Sequence, residues 1–457
     1  MARDHTEIVN TDEFDEPRQM TRNLRPLNQM YDINKKMRPS KIGLISIMLL
    51  YSTYILLPLE AGFPRVKIFG FEVESSITFS VIAFFMACYV NKKDFIHFKI
   101  DNYIIFQSLF VFVLMLGGWG TEFPLSSLRA AIAYFFAWVI NYMIIQKYID
   151  MGYAKYITLI VCVVVFFSAM EAILEGLQLV IPIYADWHIN YEHSWENENE
   201  NFGRVLGTVG NPLVLGVVFM LAIPFAMSIK NVYLKIIMIL LIIAGAFLTV
   251  SKTVIVLAAI NLFYYFVIIG RKHVAKSAIL FALVLAILIM MTYSNKLMEN
   301  PYVKLWTIRL TMETDNDLID SRSISMRKDS AVNSFNKIVN GDVDKMLIGY
   351  GHATHVMISE AIEANFRTLD NVYLQVWHNN GIIGLIIFLI AFLYPAMNKR
   401  SLKYQTTYWF NALNFMLVGF SLVCYPYSAI NILMVTSYAL MNKKSDSNHV
   451  IYSCTVN

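Results

Sequence analysis

The chain has 457 residues, of which 57% are hydrophobic and 15% charged, and its mean hydropathy is +0.52. Charge at that density does not cover a water-soluble body of this size, and the apolar residues fall in blocks without heptad or strand alternation, which excludes soluble, disordered and fibrous classes. The formal net charge of +4 is mild, so the informative feature is where Lys and Arg lie.

Residues 1–40 are polar, charged and aperiodic. They read as a cytoplasmic tail in solvent or on anionic headgroups, and no cleavable signal peptide is expected there. A hydrocarbon core about 30 Å thick takes about 20 apolar residues per helix, and blocks of that kind predict about twelve spans. The first nine run over 42–59, 75–91, 103–118, 126–146, 156–180, 210–228, 232–250, 253–270 and 276–293. The last three run over 380–397, 405–423 and 425–441. Between the last two, Cys424-Tyr425-Pro426-Tyr427 allows either two short helices or a helix with a re-entrant piece. The expected organisation is a cytoplasmic tail (1–40), spans one to nine (41–293), a large partly helical external loop (294–379), spans ten to twelve (380–441) and a second cytoplasmic tail (442–457).

Positive residues orient the spans, because Lys and Arg accumulate in cytoplasmic loops. One side holds the N-terminal tail, Lys92-Lys93, Lys147, Lys230, Lys235, Arg271-Lys272, Lys399-Arg400 and Lys443-Lys444. That side is read as cytoplasmic, with both termini inside. The loop 186–203, rich in acid and Asn, and the loop 294–379 then face outward. No repeat or inverted pair of broken spans marks a carrier. Cys88, Cys162 and Cys424 lie in apolar blocks and Cys454 in the tail, without paired spacing, so neither a disulfide framework nor a zinc site is expected.

Ionisable residues at the lip of a span are costly and tolerated where they pair or meet a ligand. Arg129 opens the fourth span, Glu171 and Glu175 lie one turn apart near the outer end of the fifth, Arg204 precedes the sixth, and Lys252 sits in the tight connection Val250-Ser251-Lys252-Thr253. Each of these cations is open to snorkelling or an ion pair, Arg129 with Glu171 or Glu175 for example, as well as to ligand binding. In the large loop, Ser323 to Val339 predicts a helix with Ile324, Ala331, Phe335 and Ile338 on one face, and Arg327 and Lys328 fall in that sector with Arg322 opposite. Inward cations suit a phosphate or diphosphate, and equally a basic helix lying on headgroups. Asp342-Val343-Asp344 and Asp315-Asn316-Asp317 read as turns rather than metal sites. The histidines do not cluster at ligand spacing, and no phosphate-binding loop or nucleophile elbow is present.

Three stretches, taken in order, resemble the O-antigen polymerase and ligase superfamily of bacterial envelope glycan assembly. They are Gly203-Arg204-Val205-Leu206-Gly207-Thr208-Val209-Gly210-Asn211-Pro212, then Leu248-Thr249-Val250-Ser251-Lys252-Thr253, where relatives usually carry Ser-Arg, and then a third set. That set runs from Arg327 through Leu347-Ile348-Gly349-Tyr350-Gly351 and Asp370-Asn371-Val372-Tyr373-Leu374 to Gly381-Ile382-Ile383-Gly384-Leu385. The resemblance covers about Arg204 to the twelfth span.

The resemblance implies an all-α, polytopic transmembrane bundle similar to GT-C membrane glycosyltransferases, in the bacterial cytoplasmic (inner) membrane. It implies a metal-independent enzyme without a cofactor, using a polyprenyl-diphosphate-linked glycan as donor and a lipid-linked repeat unit as acceptor, and working beside a flippase and a chain-length regulator. Fixed cations stabilise a departing diphosphate, a role that fits Arg204, Arg327 and Lys252, with Arg129 and Lys328 as further binding residues. Asp370 is the candidate general base, and is equally placed to cap a helix beginning near Val372. Asn371 is a candidate substrate contact, and Trp377 suits either a sugar-stacking platform or an interfacial anchor. Ligases of the superfamily usually carry His before Asn or Ser where this chain has Asp370-Asn371, so the expectation is a repeat-unit polymerase of O-antigen, capsule or exopolysaccharide. A ligase delivering finished glycan, and a lipid-linked oligosaccharide flippase, are the rival readings.

Overall fold

The computed structural model describes residues 39–56, 66–68, 71–73, 75–90, 100–119, 121, 124–177, 179–180, 205–264, 331–352, 371–397, 406–420 and 427–442. All lie in the unit Pro39–Asn457. Apart from one small antiparallel hairpin, β1 (Val66–Ile68) with β2 (Phe71–Val73), the regular elements there are helical. Every apolar block expected to form a helix does so, except 276–293, which lies outside the described residues. The helices are α1 (Lys41–Ile55), α2 (Ser75–Val90), α3 (Asn102–Leu116), α4 (Pro124–Tyr134) and, through a π-helical turn at Phe135–Ile140, α5 (Asn141–Asp150). They continue with α6 (Ala154–Gly176), α7 (Pro212–Met227), α8 (Val232–Leu248), α9 (Lys252–Tyr264), α10 (residues 331–339) and α11 (Val343–Ile348). Last come α12 (Val372–Met397), α13 (Thr406–Val418) and α14 (Ser428–Met441).

Among the described residues, three stretches are long and apolar enough, by length and composition, to cross a membrane: Pro124–Asp150, Ala154–Gly176 and, counted across a break at Gly381, Val372–Pro395. The exposed surface has the same character. On α8, Val232, Tyr233, Leu234, Ile236, Ile237 and Leu240 all face outward, an apolar patch that water would not tolerate but lipid does. Inside, α14 is buried at every position and α7 at nearly every one, as expected of helices that are apolar on all sides. Pro224 interrupts the hydrogen-bond ladder of α7, and beside it the Asn411 amide donates to the Leu221 carbonyl at 2.9 Å, giving a backbone acceptor a partner where no water reaches.

Hydrogen bonds between helix ends sort those ends into two groups. At one end of the bundle Thr208 Oγ1 donates to Ile55 O (2.9 Å), Val205 N to Leu248 O (3.3 Å) and His352 N to Ser127 Oγ (2.9 Å). At the other, Ser40 N donates to Tyr153 OH (2.7 Å), Asn102 Nδ2 to Tyr394 OH (2.6 Å) and Asn442 Nδ2 to Tyr142 OH (2.8 Å).

The tenth block differs from expectation. Its helix begins at Val372 rather than at 380, and it is not straight. A continuous α-helix rises about 1.5 Å per residue, which would set Val372 about 30 Å from Phe392. Yet Val372 N donates to Gly419 O at 2.8 Å, while Phe392 stacks on Phe415, one turn before Gly419, with ring centroids 4.7 Å apart. Both contacts hold because α12 folds back at Gly381, whose φ of 65° and ψ of −175° belong to a region essentially reserved for glycine. The second arm (382–397) runs antiparallel to α3, with Gln107 Nε2 donating to Ala391 O at 3.2 Å and Phe110 set 5.4 Å from Phe388. The first arm (372–380) returns beside it, so that the Tyr373 ring lies 6.4 Å from that of Phe388. The chain reversal of this bundle at Gly381 thus falls in the tenth block, and the segment about Cys424, between α13 and α14, lies outside the described residues.

Candidate functional site

Two of the resembling stretches meet in space. Asn211 caps α7 by accepting from Leu213 N (3.0 Å) and Val214 N (3.2 Å), with Pro212 as its first helical residue. The preceding 3₁₀ turn, Gly207–Val209, is closed by Gly210 in the left-handed region, φ 70°. Glu175 anchors that turn: its two carboxylate oxygens accept from Leu206 N at 2.8 Å and Gly207 N at 2.7 Å. Glu171, one turn earlier, also lies against Gly207, where an added Cβ would come within 3.2 Å of its Oε2. The two acids thus face the 206–207 backbone, whereas Arg129, their candidate ion-pair partner, is exposed on α4. Next to the turn, the α8–α9 connection is so tight that Val250 is forced to φ 46°, a rare conformation for a β-branched residue. Lys252 opens α9 half-buried at this same end, and α9 is tied to α13 by Asn414 Nδ2 donating to Asn261 Oδ1 at 3.1 Å.

On the other side of α13 the third stretch forms a polar seat at the fold of α12. Tyr350 N and Gly351 N donate to the carbonyls of His378 (2.9 Å) and Asn379 (3.0 Å), which the break at Gly381 leaves without helical partners. Gly349 (φ 94°) and Gly351 (φ 88°) allow this approach; a Cβ on Gly349 would stand 2.4 Å from the Asn379 carbonyl. The Tyr350 ring stacks on His378 (5.1 Å, 20°), its hydroxyl donates to Lys337 O at 2.9 Å, and Lys337 Nζ sits 4.8 Å over its face. Burial, with Asp342 and Asp344 adding repulsion, pushes the Tyr350 phenol above its ordinary value. Asn379 joins two rings: its Nδ2 donates to His352 Nδ1 at 2.9 Å, and its Oδ1 accepts from His378 Nδ1 at 3.2 Å. His352, an isolated histidine after Gly-Tyr-Gly, carries no spacing signal in the sequence; only the fold sets it beside Asn379.

Between the arms of α12, α10 and α13 lies an apolar groove of about 750 Å³. Its walls include Ala331 and Phe335 of α10, Trp377 of the first arm, Leu389 of the second and Phe420 after α13, and Asn371 sits on its margin. Trp377 meets the edge of Phe335 at 5.8 Å, and its indole N–H is buried without a hydrogen-bond partner among the described residues. The capping role weighed for Asp370 belongs to its neighbour: Asn371 Oδ1 accepts from Tyr373 N and Leu374 N, each at 3.0 Å. On α10 the buried positions are Ser334 and Ile338, whereas Phe335 is 48% exposed and faces the groove.

The structure thus describes Lys252, Arg129, Asn371 and Trp377, and brings Asn371 and Trp377 together on one groove. Asp370, Arg327, Arg204 and Lys328 lie outside the described residues, as do Arg322, His188, His193, His355 and the pair Asp315 and Asp317. The turn expected at Asp342-Val343-Asp344 is instead the start of a helix, with Asp342 exposed at the N-cap of α11 and Asp344 exposed in its first turn. No protein-family model matches this chain, and no curated protein matches it.

Proposed function

We propose that the chain is a membrane glycosyltransferase that polymerises lipid-linked repeat units. It moves a growing glycan from polyprenyl diphosphate to the non-reducing end of a new unit, on the outer face of the bacterial cytoplasmic membrane. The observation that carries this reading is the groove between the folded arms of α12. Its walls are apolar, suited to an isoprenoid chain, while an unpartnered indole N–H and the Asn371 cap offer polar contacts. A substrate with an apolar tail and a sugar-diphosphate head matches that combination. The residue assignments extend the same reading: Arg204, Arg327 and Lys252 stabilise the departing diphosphate, Arg129 and Lys328 add positive charge, and Asp370 takes the proton of the attacking hydroxyl. About twelve spans, a GT-C-like arrangement, both termini in the cytoplasm and cooperation with a flippase and chain-length regulator belong to the same proposal.

The test is glycan laddering in a strain deleted for the gene and complemented, at matched membrane levels, with wild type or Arg327→Ala. Wild type should restore long chains, and Arg327→Ala should leave single lipid-linked repeats on the outer leaflet. Full-length polymer left on its carrier would assign the chain as a ligase instead, and repeats trapped on the inner leaflet would assign it as a flippase.

A further inference from the structure

Asn371 meets the groove between the arms of α12 with its orientation already decided. Its Oδ1 accepts from Tyr373 N and Leu374 N at 3.0 Å each, and backbone N–H groups can only donate, so the amide cannot be turned over. The end left over is Nδ2, an obligatory donor without a hydrogen-bond partner among the described residues. The remaining N–H of that first turn, on Val372, donates to Gly419 O at 2.8 Å, so the backbone there has no donor to spare. Of the other polar side chains in the wall, Tyr373 turns its hydroxyl to the Met416 carbonyl, and Trp377 holds its indole N–H without a partner. The two unpartnered side-chain groups of the wall are thus both donors, and Asn371 stands at the positive end of the first arm's helix dipole. The groove also continues outward. Leu385 and Leu389 of the second arm form part of its wall, and Ile386, Ile390 and Leu393, on successive turns of the same arm, are exposed. A chain seated in the groove can therefore run on along the apolar outside of that arm, and a single groove suits one chain where a diacyl phospholipid brings two.

We propose that Asn371 is a specificity-determining residue that selects a single-chain lipid phosphate over the corresponding lipid alcohol, its Nδ2 donating to a phosphoryl oxygen at the groove margin and the Trp377 N–H serving as a second donor. This deepens the glycosyltransferase reading and rests on it. An ionised phosphate ester presents acceptors alone, which matches two donors beside a positive helix end. An alcohol must also place its own proton, and beside N–H donors that proton has no acceptor, a loss of about tenfold in affinity or more. The cap does the selecting, because it commits the oxygen of the amide to the backbone and leaves only its nitrogen to the ligand.

The test is Asn371→Asp, since Asp caps a helix as well as Asn does but turns an acceptor toward the groove. Farnesyl diphosphate and farnesol, which share a tail and differ in the head, are titrated calorimetrically into the whole chain in phosphatidylcholine nanodiscs, with partition into empty nanodiscs subtracted. Wild type should bind the diphosphate about tenfold or more tighter than the alcohol. Asn371→Asp should melt within about 2 °C of wild type, lose about tenfold or more for the diphosphate, and keep farnesol within about threefold. Trp377→Phe, which keeps a ring against Phe335, should weaken the diphosphate by about threefold to tenfold. Wild-type affinity in Asn371→Asp, or an equal loss of both ligands, overturns the proposal, as does a wild type that binds farnesol as tightly. Should Asn371→Asp melt early, Asn371→Ser, an uncharged cap without the amide, takes its place and should bring the two ligands within about threefold of each other. A tenfold preference retained in Asn371→Ser overturns the proposal. Displacement of farnesyl diphosphate by phosphatidylglycerol would overturn it too, and assign the groove to ordinary phospholipid. If wild type fails to restore the glycan ladder, the glycosyltransferase reading fails, and the titration still decides whether Asn371 selects a phosphate head.

Discussion

At Gly381 the backbone takes a conformation that side chains avoid, and the Leu347 carbonyl oxygen lies 2.1 Å from where a Cβ would stand. Backbone strain of this kind costs about 1–3 kcal/mol, and here a clash with main chain that cannot move adds to it. Gly381→Ala should therefore abolish folded protein in detergent thermal-unfolding measurements. Gly152→Ala makes the comparison, since φ is 88° there with nothing within 4 Å of the added Cβ, and should cost only about 1–2 kcal/mol. Glu175 makes a second residue-scale case. Removing its carboxylate strands two backbone N–H groups, at about 1–3 kcal/mol for each that stays buried, so melting should rank wild type above Glu175→Gln and Glu175→Ala last. Equal melting of the two variants would mean that the turn relaxes to find other acceptors. The candidate residues were legible as types near a membrane lip, but the partner of Glu175 was not, because a backbone N–H leaves no mark in a sequence.

Helices were the most legible elements, since apolar blocks of spanning length bounded by charge leave few alternatives in lipid. Their interruptions were harder to read. Nothing in Trp377 to Leu385 distinguishes a glycine that packs closely between helices from one that reverses the chain, and the fold of α12 is set by contacts with Gly419 and with the 347–351 backbone. The hairpin β1–β2 was likewise missed, its strands being too short to show alternation. The docked segment 349–352 has a pH dependence of known sign. The Tyr350 phenol is raised, so its neutral form stabilises the docked state below the ordinary value of about 10, and that contribution is lost as pH rises through the higher folded value. Hydrogen exchange at the Tyr350 and Gly351 amides, after correction for intrinsic rates, should hold constant from pH 6 to about 9 and accelerate only above it. Opening that already begins near neutrality would place control with the histidines instead.

For the molecule as a whole, the proposed activity depends on the groove between the arms of α12 accepting a chain. Ala331 lines that groove and is only partly buried. Ala331→Phe adds volume to the groove rather than to the packed interior, and should suppress polymer formation by about tenfold or more with little change in melting temperature. Undiminished laddering at matched protein levels would separate the groove from the activity. A fall in melting temperature of several degrees would show instead that α10 packs there more tightly than its exposure implies.

The sequence by itself indicated an apolar, lipid-compatible helical chain and the approximate position of most of the described helices, though not α11 or the first arm of α12, because a chain that must satisfy its backbone hydrogen bonds in lipid has almost no other solution. It also marked where polar and charged residues gather at one end of the helices. Only the tertiary structure decided what those residues do locally: that Asn371 caps a helix, that Glu175 holds the 206–207 turn, and that Asn379 orders His352 and His378. The physical reason is range. Burial periodicity and cap chemistry act within a few residues and are written locally, whereas the fold at Gly381 and the bonds it exposes are made with segments tens of residues away, and no local pattern encodes which distant carbonyl an amide will meet.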